Sequence, residues 1–130
     1  HGLDTVMLTA PTTDDKRLPA VLKYSAGFVY FVSVLGITGT KSATEDAVRT
    51  HVSRIRRHTG LPIGVGFGIK TPEQAAAVAR HADAAVVGTA IVDRVKMGLD
   101  SSGKAKPDLV PNLLAFVKSL ADGVRGVTKP

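Results

Sequence analysis

The stretch Ile63–Gln74, with the sequence IGVGFGIKTPEQ, decides the fold class because it joins a short apolar strand to a sharply defined helix start. Ile63–Val65 is predicted to be the strand, and glycines follow it at once. Thr71 is placed to cap a helix, Pro72 suits the first helical position, and Gln74 completes a capping box. A strand that passes through a glycine-rich turn into a capped helix predicts one βα unit.

The same alternation of strand and helix occurs four times along the chain. The other predicted strands are Thr5–Thr9, Phe28–Ser33 and Ala84–Val87. The predicted helices cover residues 14–24, 44–58, 72–80 and 90–98. This alternation indicates a parallel α/β sheet, either doubly wound or closed into a barrel. A complete (β/α)8 TIM barrel takes about 250 residues, so these 130 residues would form half a barrel of four βα units in one domain, 1–130.

A further helix is predicted near the carboxyl end, over Val110–Ala121. Its apolar stripe consists of Leu113, Val117 and Leu120. The polar residues 99–107 before it predict a mobile linker, and the tail after Gly123 is expected to bury nothing.

The composition excludes several classes of function. The chain has no cysteine, which rules out disulfide scaffolds, thiolate zinc sites and cysteine nucleophiles. No apolar run approaches the roughly 18 residues that span a bilayer, and a cytoplasmic protein is expected. The net charge is +6, but the cluster Arg54, Arg56 and Arg57 has no interleaved aromatic residues. It therefore predicts a solvated helix face and no nucleic-acid site. A chain that starts at His1 and not at methionine predicts a truncated amino terminus.

Glycine and hydroxyl residues dominate the predicted carboxyl ends of the strands, where parallel α/β folds bind their ligands. Gly66-Phe67-Gly68 and Gly88-Thr89 follow successive strands, and the second pair opens a helix. Either pair alone could serve only to make a turn. Two pairs at adjacent strand ends, with backbone N–H groups at a helix start, predict a phosphate site.

A catalytic group is not evident in the same region. None of the 11 Asp and Glu residues directly follows a predicted strand, and His51, His58 and His81 fall on helices or at their ends. No spacing typical of metal ligands occurs, and no cofactor is predicted. Only Tyr30 could point a titratable group into the site, and a buried core aromatic is an equal interpretation of it.

These segments, taken in order, resemble the carboxyl-terminal half of the tryptophan synthase alpha chain family. The resemblance covers nearly the whole chain. Its segments are Ala10–Thr13 (APTT), Phe28–Ser33 (FVYFVS), Gly36–Gly39 (GITG), Val65–Ile69 (VGFGI), Thr71–Gln74 (TPEQ) and Val87–Val92 (VGTAIV).

The resemblance implies strands five to eight of a TIM barrel that cleaves indole-3-glycerol phosphate to indole and glyceraldehyde 3-phosphate. The implied partner is the tryptophan synthase beta chain in an alpha2-beta2 complex. By the same resemblance the substrate-binding residues are Tyr30, Thr38, Gly39, Phe67, Gly68, Gly88 and Thr89.

Each of these residues has an implied role. The phosphate would be bound by Gly39, Gly68, Gly88 and Thr89, with Phe67 packed beside it. Tyr30 would line the indole end. Thr38 would steady a catalytic aspartate when the segment Val34–Ser42, expected to be a mobile lid, closes. Thr89 stands where many relatives have serine, and its hydroxyl keeps the hydrogen bond.

The catalytic glutamate and aspartate of that family lie in the amino-terminal half, so no catalytic residue is assigned here and the chain alone is expected to be inactive. It would need that missing half, or a second copy, to cover its open sheet. The alternatives are another phosphate-binding TIM-barrel enzyme and a non-catalytic half-barrel that self-associates.

Overall fold

The computed structural model describes residues 2–33, 41–66 and 68–128. Four strands alternate with helices, and a fifth helix follows the last unit. In chain order the elements are β1 (Met7–Thr9), α1 (Leu18–Leu22), β2 (Val29–Val32), α2 (Lys41–Arg56), β3 (Ile63–Gly66), α3 (Pro72–Ala79), β4 (Ala84–Val86), α4 (Thr89–Met97) and α5 (Leu109–Arg125).

The four strands form one parallel sheet whose spatial order, β1-β2-β3-β4, is the order of the chain. A doubly wound sheet instead reverses its strand order at a switch point. The sheet with its alternating helices matches part of a TIM barrel, so the predicted half-barrel is confirmed. One row of the register places Leu8, Tyr30, Gly64 and Ala84 side by side on one face.

The helices cover only one face of the sheet. Val29 and Phe31 of β2 and Ile63 and Val65 of β3 point into that layer and are fully buried. The helical residues packed against them include Leu18, Leu22, Val48, Val52, Ile55, Val78, Phe116 and Leu120. The opposite face, which would line a barrel, is open, and Leu8 is 62% exposed there.

Two elements at the start of the chain are shorter than predicted. β1 begins at Met7 because only Met7–Thr9 pairs with β2. α1 begins at Leu18 because Asp14 holds a turn before it. The Asp14 carboxylate accepts a hydrogen bond from Arg17 N at 2.8 Å, and its carbonyl accepts one from Leu18 N at 3.0 Å.

The last helix differs from its prediction in length and in one residue of its buried face. α5 continues to Arg125, and Val124 packs against the core, so the expectation of a tail with nothing to bury after Gly123 is wrong. Val117 is 40% exposed, whereas Phe116 and Leu120 are buried. Leu120 is buried as predicted, but the residue beside it in the core is Phe116, the largest apolar side chain of the helix, and not Val117.

Residues 99–107 contain a hydrogen-bonded turn. Leu99 and Ala105 form an antiparallel bridge, and Asp100 N donates to Lys104 O at 2.9 Å. The Asp100 carboxylate accepts from Ser102 N at 2.8 Å and from Lys104 N at 3.0 Å. The mobility of this predicted linker stays a prediction.

The contact between α3 and α5 is close at Gly123. A Cβ atom there would lie 2.6 Å from the Pro72 carbonyl oxygen, which belongs to the backbone and cannot swing aside. We expect Gly123→Ala to lower the free energy of unfolding by about 1–3 kcal/mol, as overpacking does, although alanine favours helix. Gly60→Ala is the control, because a Cβ at Gly60 meets nothing within 4 Å. Urea unfolding that finds the two variants equal would contradict the close packing.

Candidate functional site

The amino end of α4 offers uncapped backbone N–H groups at the carboxyl edge of the sheet. β4 ends at Val86, and Gly88 is the N-cap of α4. Among the described residues no side chain caps this helix, and its first turn contains no acidic residue. The N–H groups of a first helical turn have no partner within the helix and favour an anion.

The amino end of α3, which follows the neighbouring strand, is instead closed by its own sequence. Gln74 N donates to Thr71 Oγ1 at 3.3 Å. The Gln74 side-chain oxygen accepts from Thr71 N at 3.3 Å and from Lys70 N at 2.7 Å. The predicted capping box is thereby confirmed. Because these N–H groups are occupied, α4 is the better anion site of the two helix starts.

Within the described part of the chain, nothing requires Gly88 to be glycine. Its φ of −117° is open to other residues, and a Cβ there would meet nothing within 4 Å among the described residues. Gly68 differs, because its φ of +59° is the left-handed conformation that favours glycine. A glycine without a conformational or packing reason, at an uncapped helix start, leaves room for a ligand to approach the backbone.

The Tyr30 ring lies directly over Gly66 on the inner face of the sheet. A Cβ on Gly66 would come within 2.0 Å of the Tyr30 hydroxyl oxygen and within 2.7 Å of the ring carbon that bears it. Tyr30 is half-buried, so its ring crosses β3 beside the glycine turn. The sequence predicted that Gly66 follows a strand, but not that it contacts Tyr30. Its contact with Tyr30 depends on the register of two strands 34 positions apart in the chain.

The structure describes four of the seven predicted substrate-binding residues. Gly68, Gly88 and Thr89 are exposed where β3 and β4 end, and Tyr30 stands on the neighbouring strand β2. Thr38, Gly39 and Phe67 lie outside the described residues, as does most of the expected lid Val34–Ser42.

The carboxylate next to β4 lies at the amino end of the sheet, opposite the predicted phosphate site. Asp83 precedes the strand, and its Oδ2 accepts from Ile63 N at 2.9 Å and from Arg56 Nη2 at 2.8 Å. Among the described residues, no Asp or Glu directly follows a strand. No group of three or more metal-ligating side chains occurs in that part of the chain either.

The arginines of the basic cluster contact protein groups. Arg54 donates to the Thr13 carbonyl at 2.7 Å, and Arg56 pairs with Asp83 at 2.8 Å. Arg57 lies 3.9 Å from an Asp15 oxygen. These contacts tie α2 to the neighbouring units of the barrel.

The histidines belong to the helical layer. His51 stacks on Phe31 with ring centroids 5.1 Å apart. Burial lowers the pKa of His51, and the Arg54 guanidinium lowers it further. His81 Nε2 lies 3.2 Å from Glu45 Oε1, and Arg80 donates to the same carboxylate at 3.1 Å. Burial opposes the ionisation of Glu45, but these hydrogen bonds outweigh it and lower the pKa.

No helix in the described part of the chain is long and apolar enough to cross a membrane.

Comparisons with known proteins agree on one family. The family model "Tryptophan synthase alpha chain" matches residues 1–124. The chain is 52% identical over 126 residues to the tryptophan synthase alpha chain of Acidiphilium cryptum (strain JF-5). The aligned region covers 97% of this chain and 46% of that protein. The chain therefore spans less than half the length of this relative.

Solved structures give the same result. A chain of Mycobacterium tuberculosis tryptophan synthase is similar with a TM-score of 0.75 and 36% identity, over 95% of this chain and 42% of that one. The tryptophan synthase alpha chain of Legionella pneumophila is similar with a TM-score of 0.78 and 27% identity, over 100% of this chain and 45% of that one. On these matches, the chain belongs to the tryptophan synthase alpha chain family.

Proposed function

We propose that this chain is the substrate-binding half of a lyase that cleaves indole-3-glycerol phosphate to indole and glyceraldehyde 3-phosphate. The observation that carries this is the uncapped start of α4, where no described residue gives Gly88 a packing reason to be glycine and its φ gives no conformational one. Family membership supports the choice of this substrate over other phosphate esters.

In the proposed complex the phosphate binds at the α4 start. The backbone N–H groups of Gly88 and Thr89 donate to it, and the Thr89 hydroxyl adds a hydrogen bond. Gly68 allows the neighbouring turn to approach the phosphate closely. The half-buried ring of Tyr30, one strand further on, lines the indole end. Gly39 and Phe67 complete the phosphate pocket, and Thr38 steadies the catalytic aspartate.

The reaction itself needs groups that these residues do not supply. A retro-aldol cleavage requires a base to remove a hydroxyl proton and an acid to protonate the indole carbon that leaves. We assign both roles to carboxylates of a second half-barrel, which closes the sheet and completes the site.

The intact enzyme works in the cytoplasm with a beta chain that receives the indole, in an alpha2-beta2 complex.

The phosphate site can be tested on this chain directly with glycerol phosphate. Gly88→Val places a branched side chain where the anion approaches, and we expect its affinity, measured by calorimetry, to fall at least tenfold. Losing one or two charge-assisted hydrogen bonds accounts for a change of about this size.

Gly60→Val is the matched control. Gly60 also has open space at its Cβ position, but it lies before β3, at the end of the sheet away from the predicted site. Its affinity for glycerol phosphate should equal that of the unchanged chain. Unchanged binding in Gly88→Val would show that the phosphate lies elsewhere.

A further inference from the structure

A cleft separates the end of α4 from the start of α5 in the helical layer. Its volume is about 480 Å³, within the range of roughly 300–1,000 Å³ that small-molecule sites occupy. One wall is the end of α4, with Arg94 and Met97, and the other is the first half of α5, with Leu113 and Phe116. Lys106, from the turn that joins the two helices, also lines the cleft.

The cleft is bounded by this chain's own elements and does not lie where another half-barrel would join. Ala115 and Ser119 line it, and together with Gly123 they recur every four residues on one face of α5. Gly123 packs against Pro72 of α3, so this face of α5 is turned toward the preceding βα unit. A second half would adjoin the free edge of β4, on the other side of α5.

Two cations line the cleft without a carboxylate partner. The guanidinium carbon of Arg94 lies 3.7 Å from the centre of the Phe116 ring, and Phe116 is buried. Lys106 Nζ donates to the Met97 carbonyl at 3.2 Å. Among the described residues, neither Arg94 nor Lys106 forms an ion pair. Stacking on a buried ring fixes the plane of the guanidinium and leaves its N–H groups available for an anion.

Hydrogen bonds hold the turn that carries Lys106. Lys106 N donates to Gly98 O at 2.9 Å, and the bridge between Leu99 and Ala105 closes the turn. Gly98 approaches Leu109 so closely that a Cβ atom on Gly98 would lie 2.6 Å from the Leu109 Cγ. The two walls are thus joined within the chain before any ligand enters, which lowers the entropic cost of binding.

We propose that this cleft binds a small organic monoanion, namely a carboxylate on a flat apolar body. Arg94 and Lys106 hold the carboxylate, and Met97 and Leu113 contact the apolar body. Met97 is 75% exposed in the single chain, so a ligand there would cover apolar surface that water now reaches.

The charge of the lining favours a carboxylate over a phosphate ester. Two cations stand against one carboxylate, that of Asp108, which leaves one net positive charge. The Asp108 Oδ2 accepts a hydrogen bond from Asn112 Nδ2 at 3.0 Å. A carboxylate ligand carries a single negative charge, whereas a phosphate monoester carries about −1.5 to −2 at neutral pH. The monoanion therefore matches the lining.

The cleft is separate from the proposed phosphate site. α4 has Gly88 as its N-cap and ends at Met97, and its nine residues span about 13 Å at roughly 1.5 Å each. The two sites thus lie at opposite ends of one helix, and the cleft proposal does not rest on the proposed reaction.

Titration of the isotope-labelled chain with 2-naphthoate, followed by nuclear magnetic resonance, tests the proposal. This probe is a flat apolar carboxylate, and 2-naphthamide has nearly the same shape without the charge. We expect a dissociation constant of about 1 mM for the carboxylate and at least about fivefold weaker binding of the amide. Shifts should be confined to the end of α4, the turn and the first half of α5. Equal binding of the two probes, or shifts elsewhere only, would overturn the proposal.

Arg94→Gln and Lys106→Gln locate the anion, and Lys118→Gln is their control. Each substitution removes one positive charge, but Lys118 is exposed on α5 and does not line the cleft. The first two variants should each raise the dissociation constant of 2-naphthoate about threefold to fivefold, as the loss of an exposed ion pair does. Lys118→Gln should leave it unchanged.

Ala115→Leu tests the cleft without removing either cation. Ala115 is exposed in the cleft, so leucine fills part of the space and also suits a helix. Binding of 2-naphthoate should weaken at least about fivefold, with the circular dichroism unchanged. Unchanged binding in this variant and in both glutamine variants of the cleft would refute the location.

The two proposed sites can fail separately. Gly88→Val should bind 2-naphthoate as the unchanged chain does, and Arg94→Gln should keep its affinity for glycerol phosphate. Loss of 2-naphthoate binding in Gly88→Val would mean that the carboxylate occupies the phosphate site, which would also overturn the proposal.

Discussion

The 130-residue chain on its own is expected to release no indole from indole-3-glycerol phosphate. General acid–base catalysis contributes roughly a hundredfold to ten-thousandfold to a reaction rate, and two such groups are required here. No described Asp or Glu directly follows a strand, and Asp83 serves the amino end of the sheet.

Activity should return when the other half of the barrel is supplied. A suitable source is the part of the Acidiphilium cryptum alpha chain that this chain does not match, because the matched part is 52% identical. Mixed with this chain, it should give indole release at least a thousandfold above either half alone, consistent with one or more positioned carboxylates. The assay follows indole formation over time.

The mixture also has an internal control. Replacing this chain by its Gly88→Val variant should reduce the restored rate, because the branched side chain would keep the phosphate away from the backbone N–H donors. Indole release by the purified chain alone would contradict the assignment of the catalytic groups to the other half. A restored rate that is indifferent to Gly88→Val would contradict the phosphate site instead.

Features governed by neighbouring residues could be predicted from the sequence. The capping box at Thr71 and Gln74 is an example, because its hydrogen bonds join residues three positions apart. On α2, Val48, Val52 and Ile55 recur at helical spacing in the sequence, and all three are buried. The start of α1 was missed because Asp14 could cap a helix or hold a separate turn, and local sequence does not distinguish the two.

Features that depend on residues distant in the chain were harder to predict from the sequence. The buried face of α5 was predicted to include Val117 and not Phe116, because both Leu113-Val117-Leu120 and Phe116-Leu120-Val124 are apolar stripes at helical spacing. Only the packed core decides between them. The spacing of strands and helices also could not distinguish a doubly wound sheet from a barrel. The observed strand order does distinguish them. The cap of α3 was predicted, but the lack of a side-chain cap on α4 among the described residues, which distinguishes the two helix starts as anion sites, came only from the structure.

The contact between Tyr30 and Gly66 leads to the second large expected effect. Gly66→Ala would place a Cβ 2.0 Å from the Tyr30 hydroxyl oxygen, so the ring must move by more than an ångström. In the single chain the open inner face gives the ring room, so we expect the free energy of unfolding of that chain to change little. A displacement of this size at a substrate-positioning group can cost about a hundredfold in rate. We expect that loss in kcat/KM of the two-half enzyme, with glycerol phosphate binding unchanged.

Gly64→Ala is the control on the same strand and the same face. Its Cβ would meet Phe28 and Val86 at 3.5 Å, which is ordinary van der Waals contact, so its kcat/KM should stay near that of the unchanged enzyme.

A double variant separates direct from indirect effects. Once Tyr30→Ala has removed the ring, adding Gly66→Ala should cost little more, because coupled neighbours are not additive. Additive losses, or equal losses at Gly64 and Gly66, would mean that Gly66 acts on the substrate by a route other than Tyr30.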